Sequence, residues 1–115
     1  MKTIYEQFDV IVVPIPFANR QSELRRPALI LSDASAFNNR VHHSVMAMIT
    51  SAKNDPWPLD TPIDDTRSAG LFTPSVVRMK LFTLEHKYIL DCIGSLSTQD
   101  RLMVKSAFPH VFKLN

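Results

Sequence analysis

The sequence predicts a mainly β (α+β) fold, a small antiparallel barrel or curled sheet that ends in a single α-helix. Three observations carry this expectation. Five or six short runs rich in β-branched and apolar residues are separated by Pro-, Asn- and Asp-containing segments that cannot join a central sheet. Helical and strand-like runs do not alternate, so a doubly wound sheet is not expected. The one clear helical period comes last, after Ser97.

Taken in order, Asp9 to Pro16 (DVIVVPIP) is an apolar, β-branched run ended by prolines, which reads as a strand passing into a loop. Phe17 to Arg26 is polar and basic without a helical period, and is expected to be an exposed, mobile loop. Pro27 to Ser32 (PALILS) is a second strand, Asp33 to Asn39 supplies polar turn residues, and Val41 to Thr50 (VHHSVMAMIT) is a third strand. Asn54 to Pro58 (NDPWP) is a second loop, followed by a short edge strand from Leu59 to Ile63 and a helical turn, Asp64 to Gly70, closed by its glycine. Pro74 to Phe82 and Tyr88 to Gly94 have strand composition. Ser97 with Asp100 has the form of an N-terminal cap, and Leu102, Met103, Ala107 and Phe108 recur at helical spacing as the apolar face of a terminal helix.

At 115 residues the chain can bury one core but not two, so residues 1–115 are expected to form one domain. Its 45% hydrophobic and 21% charged residues are ordinary for a globular protein and argue against disorder. A formal charge of +2 is too mild to attract nucleic acid by itself, so such a site must come from local clustering. Cys92 is the only cysteine, which excludes an internal disulfide and a Cys-rich zinc site. His42 and His43 are adjacent and would point to opposite faces of a strand, so no metal is expected. No apolar run approaches the roughly 18 residues of a membrane span, and MKTIYEQFDV lacks a signal-peptide core. A cytoplasmic protein without a membrane partner is the expectation.

Phe8 to Phe17 (FDVIVVPIPF) followed by Arg25 to Ser32 (RRPALILS) resembles the opening of the MazF/PemK toxins, in which a strand, a variable loop and an Arg-Pro strand follow one another. Met48 to Ser51 (MITS) is similar to that family's third strand. Gly70 to Arg78 (GLFTPSVVR) and Ile93 to Ser97 (IGSLS) are similar to its later strands and the start of its last helix. The resemblance implies an SH3-like barrel, CcdB/MazF-like, and the toxin of a type II toxin–antitoxin system. It also implies a homodimeric, metal-independent endoribonuclease, an mRNA interferase that needs no cofactor. The expected partners are single-stranded RNA and a cognate acidic antitoxin, held in the same groove.

RNA cleavage by the ribose 2′-OH requires removal of a proton, stabilisation of a phosphorane with extra negative charge, and protonation of the leaving 5′-oxygen. Arginine suits the second task, because its planar fork of donors matches a phosphate and stays charged. By resemblance Arg26 is the principal catalytic arginine and Thr50 the catalytic hydroxyl, with Ser51 beside it; the bland alternative is a β-branched strand residue followed by a turn former. Arg78 matches an arginine that faces the RNA groove, although an exposed strand arginine is commonly only solvated. Some relatives carry an aspartate two residues further on, where this chain has Lys80. Lysine does not replace a carboxylate base at neutral pH unless its pKa is strongly lowered, but it can bind phosphate.

Arg20, Glu23 and Arg25 of the first loop read as an RNA-gripping lid, with Glu23 a substitute base, or equally as an ordinary charged loop. Phe17, Trp57 and Phe82 are candidates to stack on splayed bases or to pack in the core or a dimer contact. Lys80 favours a second reading, a non-cleaving protein on the same barrel. That protein would be a CcdB-like gyrase inhibitor or an inactive relative that binds only nucleic acid or antitoxin.

Overall fold

The computed structural model describes residues 4–113. Six strands form one antiparallel sheet in the order β4-β5-β3-β2-β1-β6. They are β1 (Asp9–Pro14), β2 (Arg25–Ile30), β3 (His43–Ser51), β4 (Thr61–Pro62), β5 (Ser75–Glu85) and β6 (Asp91–Ser95). The sheet curls into a half-barrel, so both of its faces are covered and β1 reads as a continuous apolar run instead of an alternating one. Val10, Leu29, Ala47, Ile49 and Val77 belong to one buried cluster, together with Phe8, Leu96 and Val104. Ile11, Val13, Ala28, Ile30, Met46 and Met48 belong to a second, together with Tyr5, Leu84 and Ile89.

Strand boundaries differ from the sequence expectation where backbone pairing outweighs side-chain composition. β2 starts two residues early, because Arg25 and Arg26 pair with Pro14 and Val13. β5 runs on past Phe82 to Glu85, where Thr83, Leu84 and Glu85 pair with Val45, Ser44 and His43. Between β3 and β5 the register shifts: Ala47 lies opposite Leu81 while Met48 lies opposite Arg78. Met79 and Lys80 thus have no partner on β3, and such a bulge bends a strand and re-aims its side chains. The predicted edge strand shrinks to the two residues of β4, paired to β5 through Thr61 and Val77.

The polar stretch Asp33 to Asn39 is helical: a π-turn, Ala34–Asn38, continues into the single turn α1 (Asn39–Val41). Asp33 caps it by accepting from Ala36 N at 2.8 Å. Asn38 is fully buried and its Nδ2 donates to the carbonyls of Tyr5 and Ser32 at 2.8 and 2.9 Å, so a residue expected to be a turn former instead ties two segments together. The turn before β5 closes on Gly70 at φ +74°, and a Cβ there would lie 2.1 Å from the carbonyl oxygen of Ile93.

Helix α2 (Thr98–Phe112) is capped by Ser97, whose Oγ accepts from Asp100 N at 3.1 Å. Its inward face keeps Ala107 and Phe108 of the predicted one but not Leu102 and Met103. Leu102 and Met103 are 55% and 48% exposed, whereas Asp100, Val104 and Ala107 are buried and Phe108 packs beside them. The buried Asp100 carboxylate accepts from the backbone N–H groups of Asp64 and Asp65 at 3.1 and 2.9 Å, and Arg101 Nε donates to Leu96 O at 2.8 Å. These polar bonds fix the rotation of the helix and turn Leu102 and Met103 outward.

Candidate functional site

Where β1 and β3 end, the segments 15–24 and 52–60 border a cleft of about 350 Å³. Strand positions set its floor. Ala28 pairs with Met48, and continuing that register by two residues on each strand brings Arg26 opposite Thr50. Met48 pairs with Arg78 in turn, so Arg26, Met48, Thr50 and Arg78 share one face. Lys80 joins them from the bulge of β5, and Ile15, Phe17, Leu24, Asn54 and Trp57 complete the walls.

The two arginines are in opposite states. Among the described residues the exposed Arg26 guanidinium has no hydrogen bond or ion pair, so its donors are available to a ligand. Arg78 is committed: its Nε and Nη2 donate to Asp60 Oδ1 and Oδ2 at 3.2 and 3.0 Å, and Nη2 also donates to Asp55 O at 2.8 Å. Both side chains of this ion pair are only 11% exposed, and the Trp57 ring covers the guanidinium with its centroid 5.0 Å from Cζ. Burial opposes ionisation of Asp60. The hydrogen bonds from Arg78 and from Trp57 N, with the charge of Arg78, outweigh it and hold the carboxyl below the usual carboxylate range.

Thr50 is buried, and its Oγ1 accepts from Asn54 Nδ2 at 2.6 Å. A hydroxyl that accepts from an amide keeps its own proton to donate elsewhere. Asn54 and Asp60 were not picked out by sequence reasoning. Asn54 lies in a Pro- and Asp-rich loop whose composition signals only a turn, Asp60 in the expected edge strand Leu59 to Ile63, and Asp60 meets an arginine 18 positions away.

The remaining predicted residues are distributed as follows. Ser51 and Arg25 line an adjoining groove of about 360 Å³, which shares Leu24, Arg26 and Thr50 with the cleft. Phe17 lines the cleft, but one of its faces stacks on Phe82 at 4.5 Å and 15°. Glu23 is exposed and lines neither space. Arg20 is turned away, its Nη1 donating to the carbonyls of Lys87 and Ile89, so it anchors the first loop to the protein. Among the described residues no three His, Cys, Asp or Glu side chains are gathered as a metal site would need. No helix among them is long and apolar enough to cross a membrane.

Residues 6–112 match the family described as PemK-like, MazF-like toxin of type II toxin-antitoxin system. No curated protein is matched. Among solved structures, the chain resembles a MazE-MazF crystal structure from Deinococcus radiodurans, with TM-score 0.74 and 14% identity over 99% of this chain and 100% of that one. It also resembles the Mycobacterium tuberculosis toxin MazF-mt6, with TM-score 0.71 and 21% identity over 93% and 98%. A third neighbour is a mycobacterial endoribonuclease in complex with its cognate antitoxin, with TM-score 0.75 and 16% identity over 99% and 98%. The family match spans nearly the whole sheet and its terminal helix, and the chain belongs to the PemK-like, MazF-like toxins of type II toxin–antitoxin systems.

Proposed function

We propose that this toxin is a metal-independent endoribonuclease that cuts single-stranded RNA by attack of a ribose 2′-OH on the adjacent phosphorus. The observation that carries the reading is that the uncommitted guanidinium of Arg26 and the Thr50 hydroxyl, on neighbouring strands, line one cleft. A charge that forms on the nonbridging oxygens in the transition state is stabilised by donors already in place. Arg26 supplies a charged fork and Thr50 a single hydroxyl proton. Arg78 and Lys80 add donors from β5, while Trp57 offers a partly exposed ring for a splayed base. Ser51 and Arg25, in the adjoining groove, contact the next nucleotide.

The protein acts as a homodimer in the cytoplasm, without a cofactor. The acidic tail of a cognate antitoxin competes with RNA for the cleft, since a site built for phosphates also accepts carboxylates. A neighbour of the same fold is an endoribonuclease held with its antitoxin, which supports carrying both properties over.

The test is incubation of the purified protein with a mixed-sequence RNA oligonucleotide and a metal chelator. Cleavage that leaves a 2′,3′-cyclic phosphate and a 5′-hydroxyl, and that Arg26→Ala abolishes, is expected. Full cleavage by Arg26→Ala would remove the mechanism. A second reading, a non-cleaving binder or CcdB-like gyrase inhibitor, is favoured by one observation: no Asp or Glu is among the residues lining the cleft, and Lys80 stands at the bulge. Intact RNA together with inhibited DNA supercoiling would select it.

A further inference from the structure

Asp60 does not line the cleft, yet it governs one of the groups that do. Its two oxygens grip the Nε and Nη2 edge of Arg78, and Oδ2 also accepts from Trp57 N at 2.9 Å. One carboxylate therefore fixes the guanidinium edge-on and closes the 57–60 turn that lays the Trp57 ring on its face. The Asp55 carbonyl takes a further Nη2 proton. Edge and face are both occupied, and among the described residues Nη1 alone keeps its donors for a ligand.

We infer that Asp60 is a positioning residue: it holds Arg78 so that Nη1 meets the scissile phosphate in a fixed direction, and it serves the reaction without attracting RNA. The inference rests on the reading of the cleft as an RNA-cleaving site. The charge count gives the role its signature. Arg78 and Asp60 together are formally neutral, so removing the carboxylate makes the cleft more positive while freeing the guanidinium to rotate. Binding is then retained or strengthened, and the chemical step slows because a preorganised donor has been lost.

The experiment compares wild type, Asp60→Ala and Asp60→Asn in two assays. One is single-turnover cleavage of an RNA oligonucleotide, and the other is affinity for the all-2′-deoxy oligonucleotide of the same sequence, which lacks the nucleophile. Asp60→Ala is expected to slow cleavage by about tenfold or more. Its affinity for the deoxy oligonucleotide should stay within about threefold of wild type or become tighter. Asp60→Asn, which keeps a hydrogen-bond acceptor, should fall between. Unchanged or faster cleavage by Asp60→Ala would overturn the inference, the latter outcome meaning that the carboxylate masks Arg78.

A third readout is independent of activity. The Arg78 Nε–H resonance of wild type is expected to be protected from water exchange and to stay protected when the deoxy oligonucleotide binds. Loss of that protection on binding would show that nucleic acid displaces Asp60, which also overturns the inference, even if Asp60→Ala does not fold. Should wild type leave RNA intact, the proposed endoribonuclease reading fails, while this resonance still decides whether Asp60 fixes Arg78 in the bound state.

Discussion

Replacing Asn54 by Ala removes the 2.6 Å bond from Nδ2 to Thr50 Oγ1 and leaves the backbone and the strand untouched. Thr50 lines an open cleft, so water can replace the lost donor, and the stability cost is about 1 kcal/mol, the net worth of one hydrogen bond. The effect on cleavage is of another kind. With Asn54 present, the Thr50 hydroxyl accepts from the amide and its proton is left for a nonbridging oxygen; without it, the hydroxyl rotates and donates to water for much of the time. A loss of about 1–2 kcal/mol of transition-state stabilisation follows, roughly five- to thirtyfold in single-turnover rate. Thr50→Val removes the hydroxyl in a nearly isosteric side chain and should cost about a hundredfold. If Asn54 works only through that hydroxyl, Asn54→Ala in the Thr50→Val background adds almost nothing, and the double-mutant coupling nearly equals the whole effect of Asn54→Ala. Rates measured with a metal chelator, alongside urea unfolding of all four proteins, make the cycle. Additive losses would refute the reasoning, since they would place Asn54 in a separate role.

Other expectations follow from the same geometry. Arg26→Ala should abolish cleavage but shift unfolding free energy by no more than about 0.5 kcal/mol, because the side chain is exposed and uncommitted; denaturant melts check the second half. The Asp60 carboxyl is held below its ordinary value of 3.8, so it contributes stability that is present above that value and lost as pH falls through the lower folded value. Asp60→Asn should therefore flatten the acid limb of unfolding free energy measured from pH 5 downward. His86 is lowered from 6.5, first by burial and then by the charges of His42 and His43, while its Nε2 meets Ser44 Oγ at 2.8 Å. The unfolded chain binds this proton more readily, so stability declines as pH drops below 6.5 toward the folded value, and His86→Gln should reduce that slope. Gly94→Ala would put a Cβ 2.4 Å from Ser68 O and 2.5 Å from the Ala69 carbonyl carbon, both backbone atoms, and should cost about 3 kcal/mol or more in thermal unfolding.

What the sequence made legible is what local chemistry and periodicity encode. The apolar runs of β1 and β3, the capping Ser97 and the Gly70 turn all depend on neighbours in the chain, whereas β6 begins at Asp91, after the apolar Tyr88 to Leu90 that were expected to open it. The rotation of α2 was not legible, because it is set by Asp100 bonding the backbone of residues 64 and 65, far away in sequence. Leu102 and Met103 satisfied a helical period that the tertiary bonds then turned to solvent. The site shows the same division. Arg26, Thr50 and Arg78 belong to strands whose motifs could be matched, and the structure gathers them. Asn54 lies in the Asn54 to Pro58 loop and Asp60 in the short edge strand expected after it, and only their contacts give them a role. Arg20 looked like its arginine neighbours in sequence, and nothing local announced that backbone carbonyls would claim it.

The absence of a carboxylate from the cleft lining, among the described residues, bears on how the 2′-OH would lose its proton in the proposed reaction. Asp60 is bonded to a residue of the cleft, but both of its oxygens are engaged and its carboxyl is held low, which makes it a poor proton acceptor. Glu23 is exposed and outside the lining, and the lining itself offers Lys80 and not a carboxylate. The groups this chain supplies are donors: Arg26, Arg78, Lys80 and the Thr50 hydroxyl. Donors aimed at the phosphorus oxygens stabilise the dianionic phosphorane and thereby make attack by a 2′-oxygen deprotonated by solvent productive. A reaction of that type speeds up steadily with pH, because hydroxide takes the proton. A carboxylate base instead gives a rise that levels off above its own pKa, near 4–5 for an ordinary Glu. Single-turnover cleavage measured from pH 4 to 8 should climb without such a plateau in wild type and in Glu23→Gln alike. A plateau in wild type that vanishes in Glu23→Gln would assign the base to the first loop and show that the loop closes over the RNA when it binds.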